Sequence, residues 1–258
     1  MNLKPPEEPA AILAQTDHRS WPHPSGAWVM AQSWSQLLFA HWPVSPDVLR
    51  SLIPATIQID TFEGQAWIGV VPFYMSHVRA HGLPLIPGTN HFCELNVRTY
   101  VTDVTYGQKP GVWFFSLDAD NPLAVFGARK AFHLPYYYAR MSLQQSGETV
   151  TYESSRTDTS AQAAHFSASY YPTSAIYHSR PGTLVSWLTE RYCLYAADRG
   201  GRLYRGDIHH APWPLQDAQA DIRTNTMAEA AGISLPDTPP LLHYAERLDM
   251  VTWYLARV

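Results

Sequence analysis

The sequence predicts a mainly β (α+β) protein, built on antiparallel strands with a few short helices. Three observations carry that prediction. Aromatic residues make up 13% of the 258 residues, with 15 Tyr and 9 Trp, which suits strands and aromatic-lined cavities. Short apolar segments, several of period two, recur between turns, and the chain holds 21 Pro and 14 Gly. Strand-like segments also follow one another directly instead of alternating with helices.

Composition narrows the function classes. Apolar residues are 46% of the chain and charged residues 16%, ample for a large core. The formal charge is −4 with no basic cluster, which argues against a nucleic-acid partner. Cys93 and Cys193 are the two cysteines, so neither a disulfide scaffold nor a CxxC metal knuckle is indicated, and a reduced compartment is expected. The N-terminus lacks a basic segment followed by an apolar one, and no apolar stretch reaches bilayer length. A soluble cytoplasmic protein without a membrane partner is therefore expected.

In chain order, residues 1–26 are polar and proline-rich and read as an extended or mobile arm, with one domain over 27–258. Residues 28–42, WVMAQSWSQLLFAHW, read as a buried strand on their aromatics. Ser45, Pro46 and Asp47 open a two-turn helix that Pro54 closes. Residues 64–73 form a buried strand, and 79–91 an irregular loop positioned to cover something. The strand 92–101 is joined through a turn at 107–111 to a strand at 112–117, as a hairpin. Turn text at 118–122 leads to a short helix at 124–129, then strands at 133–143, 149–156 and 165–170. The strongest helical spacing is Thr183–Tyr192, with Leu184, Trp187, Leu188 and Tyr192 near one face. A turn at 198–201, a strand at 203–210, a helix at 222–231 stopped by Gly232, and a strand at 243–254 complete the chain.

The strand Phe92–Val101 is the centre of the functional reading. Its odd positions carry Cys93, Leu95, Val97, Thr99 and Val101. Its even positions carry Phe92, Glu94, Asn96, Arg98 and Tyr100. On one reading the even face is a pocket wall, with Arg98 binding an anion, Glu94 acting as acid or base and Asn96 orienting. On the other it is the wet side of a sheet, with Arg98 and Glu94 paired.

Several motifs resemble a known family. They are Phe39-Ala40-His41-Trp42-Pro43, Glu94-Leu95-Asn96-Val97-Arg98-Thr99-Tyr100, Gly111-Val112-Trp113-Phe114-Phe115-Ser116-Leu117-Asp118, Ala128-Arg129, Leu134-Pro135-Tyr136, Trp187-Leu188-Thr189-Glu190-Arg191-Tyr192 and Pro212-Trp213-Pro214-Leu215. In this order, across residues 28 to 255, they resemble the YqjF-like family of uncharacterised bacterial proteins. That family looks like a remote relative of acetoacetate decarboxylases. The resemblance implies antiparallel sheets curled into a closed cone or double barrel around an inner pocket. It also implies a homo-oligomer. Phe92-Cys93-Glu94 resembles the decarboxylases' aromatic-x-Glu. The Arg129 and Pro135 of their Arg-Glu and Gly-aromatic-Pro-Lys-Lys text are in place, but Tyr136 and Tyr137 stand where the two lysines belong.

A tyrosine cannot form an imine, so Schiff-base decarboxylation is not carried over. The chain has three lysines. Lys4 lies in the arm, Lys109 in a turn where solvation is expected, and Lys130 out of register, although Arg129 beside it would lower its pKa.

The candidate catalytic residues are Glu94 and Tyr136, and the candidate ligand-binding residues are Asn96, Arg98, Arg129, Tyr100 and His41. Each has a structural alternative. Tyr136 is otherwise core packing, Arg129 a tie to a carboxylate such as Asp118, His41 a satisfied core histidine, and Arg191 a carboxylate partner or helix-dipole partner. Cys93 belongs to the apolar face and reads as inert core. His77 with His81, and His209 with His210, do not make a metal site, and no nucleophile elbow, phosphate loop or dinucleotide fingerprint is present. No cofactor is called for. The sequence thus points to a small carboxylate, carbonyl or aromatic ligand in an internal pocket, with lysine-free acid/base chemistry as an extension. The competing reading is a non-catalytic assembly or interaction domain.

Overall fold

The computed structural model describes residues 4–84, 90–103 and 108–258. Helix α1 (Pro9–Ala14) precedes β1 (Met30–Val44), α2 (Pro46–Arg50), β2 (Ile57–Ile59), β3 (Ala66–Ala80), β4 (His91–Asp103) and β5 (Pro110–Ala119). Then come α3 (Pro122–Ala131), β6 (Tyr136–Ser146), β7 (Thr149–Arg156), β8 (His165–Pro172) and α4 (Leu184–Thr189). Strands β9 (Cys193–Ala197), β10 (Leu203–His210), β11 (Leu215–Asn225), β12 (Leu241–Thr252) and β13 (Ala256–Arg257) complete it, with a 3-10 turn at Glu229–Ala231. No described helix is long and apolar enough to cross a membrane.

The strands close two rings through one shared wall. Strands β12, β1, β3, β4 and β5 pair in that order, all antiparallel. Continuing from β5 through β6, β7, β8 and β11 back to β12 closes a nine-strand barrel. Continuing instead through β9 and β10 closes a seven-strand ring. Two strands divide their outer edge to allow this. In β5, Val112 and Trp113 pair with β9, whereas Leu117, Asp118 and Ala119 pair with β6. In β12, Met250, Val251 and Thr252 pair with β10, whereas His243, Tyr244 and Ala245 pair with β11.

The two interiors differ. The nine-strand barrel is a filled core in which Tyr152, Phe166 and Tyr170 pack with Leu38, Leu95 and Val97. Its tyrosine hydroxyls are satisfied by backbone, as burial requires. Tyr152 donates to the carbonyl of Glu94 at 2.8 Å, and Tyr170 to that of Gln36 at 2.7 Å. Gln36 has φ 54° and lies where the β1–β3 register shifts, so this tyrosine holds a bulge that bends the shared wall. The seven-strand ring is narrower in strand number, and β9 lies tight on β5. A Cβ at Gly111 would sit 2.7 Å from Cys193 Sγ and 2.8 Å from its carbonyl oxygen, so glycine is required there.

Most elements follow the sequence expectations. Ser45 caps α2 by accepting from the Asp47 amide at 3.3 Å, and β4 and β5 form the expected antiparallel hairpin. The loop expected at 79–91 is shorter, because β3 runs to Ala80. Residues 85–89 lie outside the described residues, as do 104–107, which include Gly107 of the expected turn. The helix expected at 222–231 is a correction. Ile222 belongs to β11, where Asp217, Gln219, Asp221 and Arg223 point outward and the residues between them are half-buried. Only Glu229–Ala231 turn, before Gly232 takes φ 79°.

The N-terminal residues, expected as an extended arm, carry α1 with Pro9 in its first turn. Ile12 is buried against Ala31, Val251 and Trp253. Arg19 donates to the Ile208 carbonyl at 2.9 Å. Lys109, expected to be solvated, is buried and paired with Asp207.

One buried ion pair fixes the junction of the rings. Arg156 of β7 grips Asp118 of β5 through Nε at 2.9 Å and Nη2 at 2.6 Å, with side chains 2% and 0% exposed. Removing one partner of such a pair leaves an uncompensated charge. Arg156→Ala should therefore lose about 3–5 kcal/mol in urea unfolding at pH 7, with Asp118→Leu/Arg156→Met losing clearly less. A loss below about 1 kcal/mol for Arg156→Ala, the range of exposed pairs, would show the pair to be solvated in solution.

Candidate functional site

The seven-strand ring encloses a cavity of about 490 Å³. Strand β4 supplies its polar wall. Phe92, Glu94, Asn96 and Arg98 line the cavity, while Cys93, Leu95 and Val97 belong to the core of the nine-strand barrel. The period-two alternation thus sorts this strand between two interiors, and the even face is not solvated: Glu94 is 2% and Asn96 5% exposed. Cys93 is accordingly a core thiol, which burial pushes up to about 12.

Glu94 and Tyr136 converge. The Tyr136 hydroxyl donates to Glu94 Oε2 at 2.8 Å. Tyr136 reaches the cavity because β6 begins there, paired to Leu117 of β5. Burial raises the Glu94 carboxyl from an ordinary 4.5 to about 8; the Tyr136 hydrogen bond pulls the other way, and the nearby Asp118 adds to the rise. At neutral pH the protonated acid therefore predominates. Burial and the Glu94 contact hold Tyr136 well above the usual phenol range, so it remains a donor.

Arg98 lies deeper. Its guanidinium carbon is 5.2 Å from the Phe39 ring centroid and 5.9 Å from that of Tyr100. Its Nε and the Asn96 Oδ1 are buried without a hydrogen-bond partner among the described residues. No described carboxylate pairs with Arg98, in contrast to Arg156, Arg129 and Arg191. Its neighbour across β3 is Gly69, where a Cβ would come within 3.1 Å of the His41 ring and 3.4 Å of Arg98 Cγ. The glycine leaves both side chains their space.

Arg191 also lines the cavity, a residue that the sequence reading did not place in a pocket. It donates from Nη1 to Asp60 Oδ2 at 2.6 Å and from Nε to the Trp187 carbonyl at 2.6 Å. It lies over the rings of Trp187 at 4.3 Å and Tyr100 at 4.8 Å. Helix α4, capped by the Thr183 side chain, sets this position, and Nη2 is left buried and unpartnered in a residue that lines the cavity. The carboxylate partner that the sequence left open is thus Asp60, too far along the chain to be inferred. Trp34 and Trp213, stacked at 5.8 Å, also line the cavity with unpartnered indole N–H groups. The aromatic richness of the chain was the signal for Trp34, and Trp213 stood in the Pro212-Trp213-Pro214-Leu215 motif.

Three of the expected site residues are elsewhere. Tyr100 and His41 do not line the cavity and sit behind its guanidinium groups, joined at 2.6 Å between the hydroxyl and His41 Nε2. Burial, then the Arg98 charge, hold His41 well below the ordinary range, so its imidazole is neutral. Arg129 corrects the ligand-binding expectation. It donates to the Tyr136 carbonyl at 2.7 Å and pairs with Asp158, outside the cavity lining. Its carboxylate is Asp158, because Asp118 is taken by Arg156. Arg129 therefore ties the start of β6 to Asp158 and lies outside the cavity lining.

None of the three lysines lines the cavity. Lys130 is exposed beside Phe126, Lys109 is paired with Asp207, and Lys4 is exposed near the N-terminus. An imine on lysine cannot form in this cavity. Among the described residues, no three His, Cys, Asp or Glu side chains are grouped to hold a metal ion.

Comparison with known proteins places this architecture. The enduracididine biosynthesis enzyme MppR complexed with pyruvate superposes with a TM-score of 0.60 at 11% identity, over 92% of this chain and 93% of that one. Acetoacetate decarboxylase from Legionella pneumophila superposes with a TM-score of 0.58 at 14% identity, over 99% and 98%. At these identities the likeness is one of fold: a closed barrel of the acetoacetate-decarboxylase type with few short helices. The uncharacterized protein YqjF of Bacillus subtilis (strain 168) is 50% identical over 234 residues, 91% of this chain and 94% of that protein. The model of the DUF2071 family, described as an uncharacterized conserved protein, matches residues 31–249. The chain therefore belongs to the DUF2071 family of YqjF-like proteins, on an acetoacetate-decarboxylase-like fold.

Proposed function

We propose that the seven-strand ring binds a small organic carboxylate, with Arg98, Asn96 and Arg191 receiving the anion and the Glu94–Tyr136 pair facing the rest of the ligand. One observation carries this reading: Arg98, half-buried in a largely apolar cavity, has a buried Nε without a partner and no described carboxylate to neutralise it. A charge removed from water needs a partner, and a guanidinium meets a carboxylate through charge-assisted hydrogen bonds. The protonated Glu94 fits the same ligand, because a carboxylate here would repel it. The MppR complex with pyruvate shows an oxo acid on this fold and supports the ligand class by analogy.

If turnover accompanies binding, its chemistry is acid/base. Protonated Glu94 would give its proton to a carbonyl oxygen or a developing carbanion, and Tyr136 would donate to Glu94 as its charge develops. Schiff-base decarboxylation has no amine in the cavity to start from. The two free thiols, Cys93 and Cys193, fit a reduced, cytoplasmic setting.

The test is binding of short oxo acids and of their neutral amides, followed by thermal shift and calorimetry on the full chain. Acids should raise the melting temperature, amides should not, and Arg98→Ala should lower acid affinity at least tenfold while unfolding as cooperatively as wild type. Equal binding of acids and amides, or an unchanged affinity in Arg98→Ala, would remove the anion site.

Glu94 makes a second, independent prediction. Its folded-state pKa of about 8 lies above its ordinary 4.5, so within that window the folded chain holds a proton that the unfolded chain has released. Stability should then fall as pH rises from 4.5 to 8 and level off above it. Relative to Glu94→Gln, which holds no such proton, wild type should lose about 5 kcal/mol across that window. A wild-type-minus-variant difference that stays flat with pH would mean that Glu94 ionises normally.

A further inference from the structure

The geometry points to an amphiphilic ligand: a carboxylate bearing an apolar tail of about ten non-hydrogen atoms, bound head-first, with the tail running back to a single mouth. This inference rests on the carboxylate reading above and adds the class of molecule the cavity selects.

The shape of the cavity has a direction. Strand β4 presents Phe92, Glu94, Asn96 and Arg98 in that order, paired across β3 with Met75, Phe73, Val71 and Gly69. At about 3.3 Å per residue, the wall from Phe92 to Arg98 is about 20 Å long. Past Met75, β3 continues through Val78 to Ala80, and the chain reaches Leu83 and Pro84. The lining residues that are solvent-exposed are Ala80, Leu83 and Pro84 from this end, and Leu123, Gly127 and Ala131 from α3. Among the described residues they define one mouth. At the opposite end, Thr189, Arg191 and Cys193 are buried, and the core of Tyr100, Val112 and Leu188 closes the ring behind Arg98. Half-buried Arg98 and buried Arg191 thus lie at the bottom, Glu94 and Tyr136 lie midway, and the neck is built of Trp34, Met75, Phe92, Leu134 and Met250.

Volume decides between a short and a long ligand. At about 30 Å³ for each water-sized group, the cavity has space for about sixteen non-hydrogen atoms. A short oxo acid of about six such atoms would fill less than half and leave the apolar neck in contact with water. The mouth agrees. Leu123 and Leu83 are 65% and 55% exposed, so the rim is largely apolar, its one described cation being Arg79 with Glu8 at 3.9 Å. Along α3, the residues that face the channel include Ala124, Gly127, Ala128 and Ala131, whose small side chains hold the passage open.

The test is calorimetry on the full chain with straight-chain saturated acids from propanoate to dodecanoate and the primary alcohols of the same lengths. Acid affinity should rise about three- to fourfold per added methylene through the middle of the series. Each alcohol should bind at least tenfold more weakly than its acid. Gly127→Phe should flatten the rise; nothing lies within 4 Å of a Cβ at Gly127, so the fold has room for the change. Short acids that bind with no gain from longer chains would overturn the tail and leave the carboxylate site standing. A rise shared equally by alcohols and untouched by Gly127→Phe would mean adsorption outside the channel, and would also overturn it. Failure of every acid at every length would overturn the carboxylate reading itself, and this inference with it.

Discussion

Strand β4 has no solvent face along its middle, and the rest of the molecule depends on that. Its odd side chains fill one barrel and its even side chains line another. In a single sheet with one wet side, Glu94, Asn96 and Arg98 would be ordinary surface groups. Enclosed by a second ring, each carries the cost of lost hydration unless something in the cavity replaces it. The polar face is therefore an electrostatic problem created by topology. The topology itself comes from β5 and β12, which each divide an outer edge between two neighbours. The Arg156–Asp118 pair lies on β5 at the part that pairs with β6, so the same strand that joins the rings is clamped where it enters the filled one.

The filled barrel stiffens the open one. Tyr152 reaches across the nine-strand interior to the backbone carbonyl of Glu94, and Tyr170 to that of Gln36. These hydroxyls pin β4 and β1 from behind, leaving the other faces of those strands free to line a cavity. Arg129 does the same for β6, tying the Tyr136 carbonyl to Asp158. Behind Arg98 and Arg191, Tyr100 and His41 form a further supporting layer. Preorganised groups of this kind hold their geometry before a ligand arrives and lose little in ordering when it does.

Local signals in the sequence were sufficient for most of the long strands, the Ser45 cap and the β4–β5 hairpin, because each depends on residues near one another, but not for β9 or β11. The alternation of Tyr136 and Tyr137 also carried its meaning: the first faces the cavity, and the second takes Arg156 over its ring at 4.5 Å. The site was legible where one strand supplied it. Glu94, Asn96 and Arg98 share a face by periodicity alone, and the family motifs brought Tyr136 into the same candidate set as Glu94. What escaped was partner choice at long range. The sequence suggested a carboxylate such as Asp118 for Arg129, whereas the sheet order gives Asp118 to Arg156 and leaves Asp158 to Arg129. Arg191 was equally open until Asp60, 131 residues away, was placed beside it. The helix expected at 222–231 failed for a local reason. Its alanines and Gly232 suited a helix, but the outward Asp217, Gln219, Asp221 and Arg223 had already set a period of two.

The charges of the cavity follow from these placements. Arg191 already has Asp60, and burial keeps His41 and His210 neutral, the latter pulled down to about 3. Glu94 is protonated at neutral pH. Arg79, at the mouth, has Glu8 at 3.9 Å, so among the described residues the unmatched charge is the positive one of Arg98, which would suit a monoanion better than a dianion. Ionised Glu94 would offer Arg98 a rival counter-charge from along the same strand face, so its proton and the ligand's anion favour each other. Tyrosine at position 136 fits that arrangement as an amine would not. A lysine beside Glu94 would invite an internal ion pair, draw the carboxyl toward its ionised form and add a second cation, whereas the phenol hydrogen-bonds to Glu94 and leaves the charge of the site unchanged.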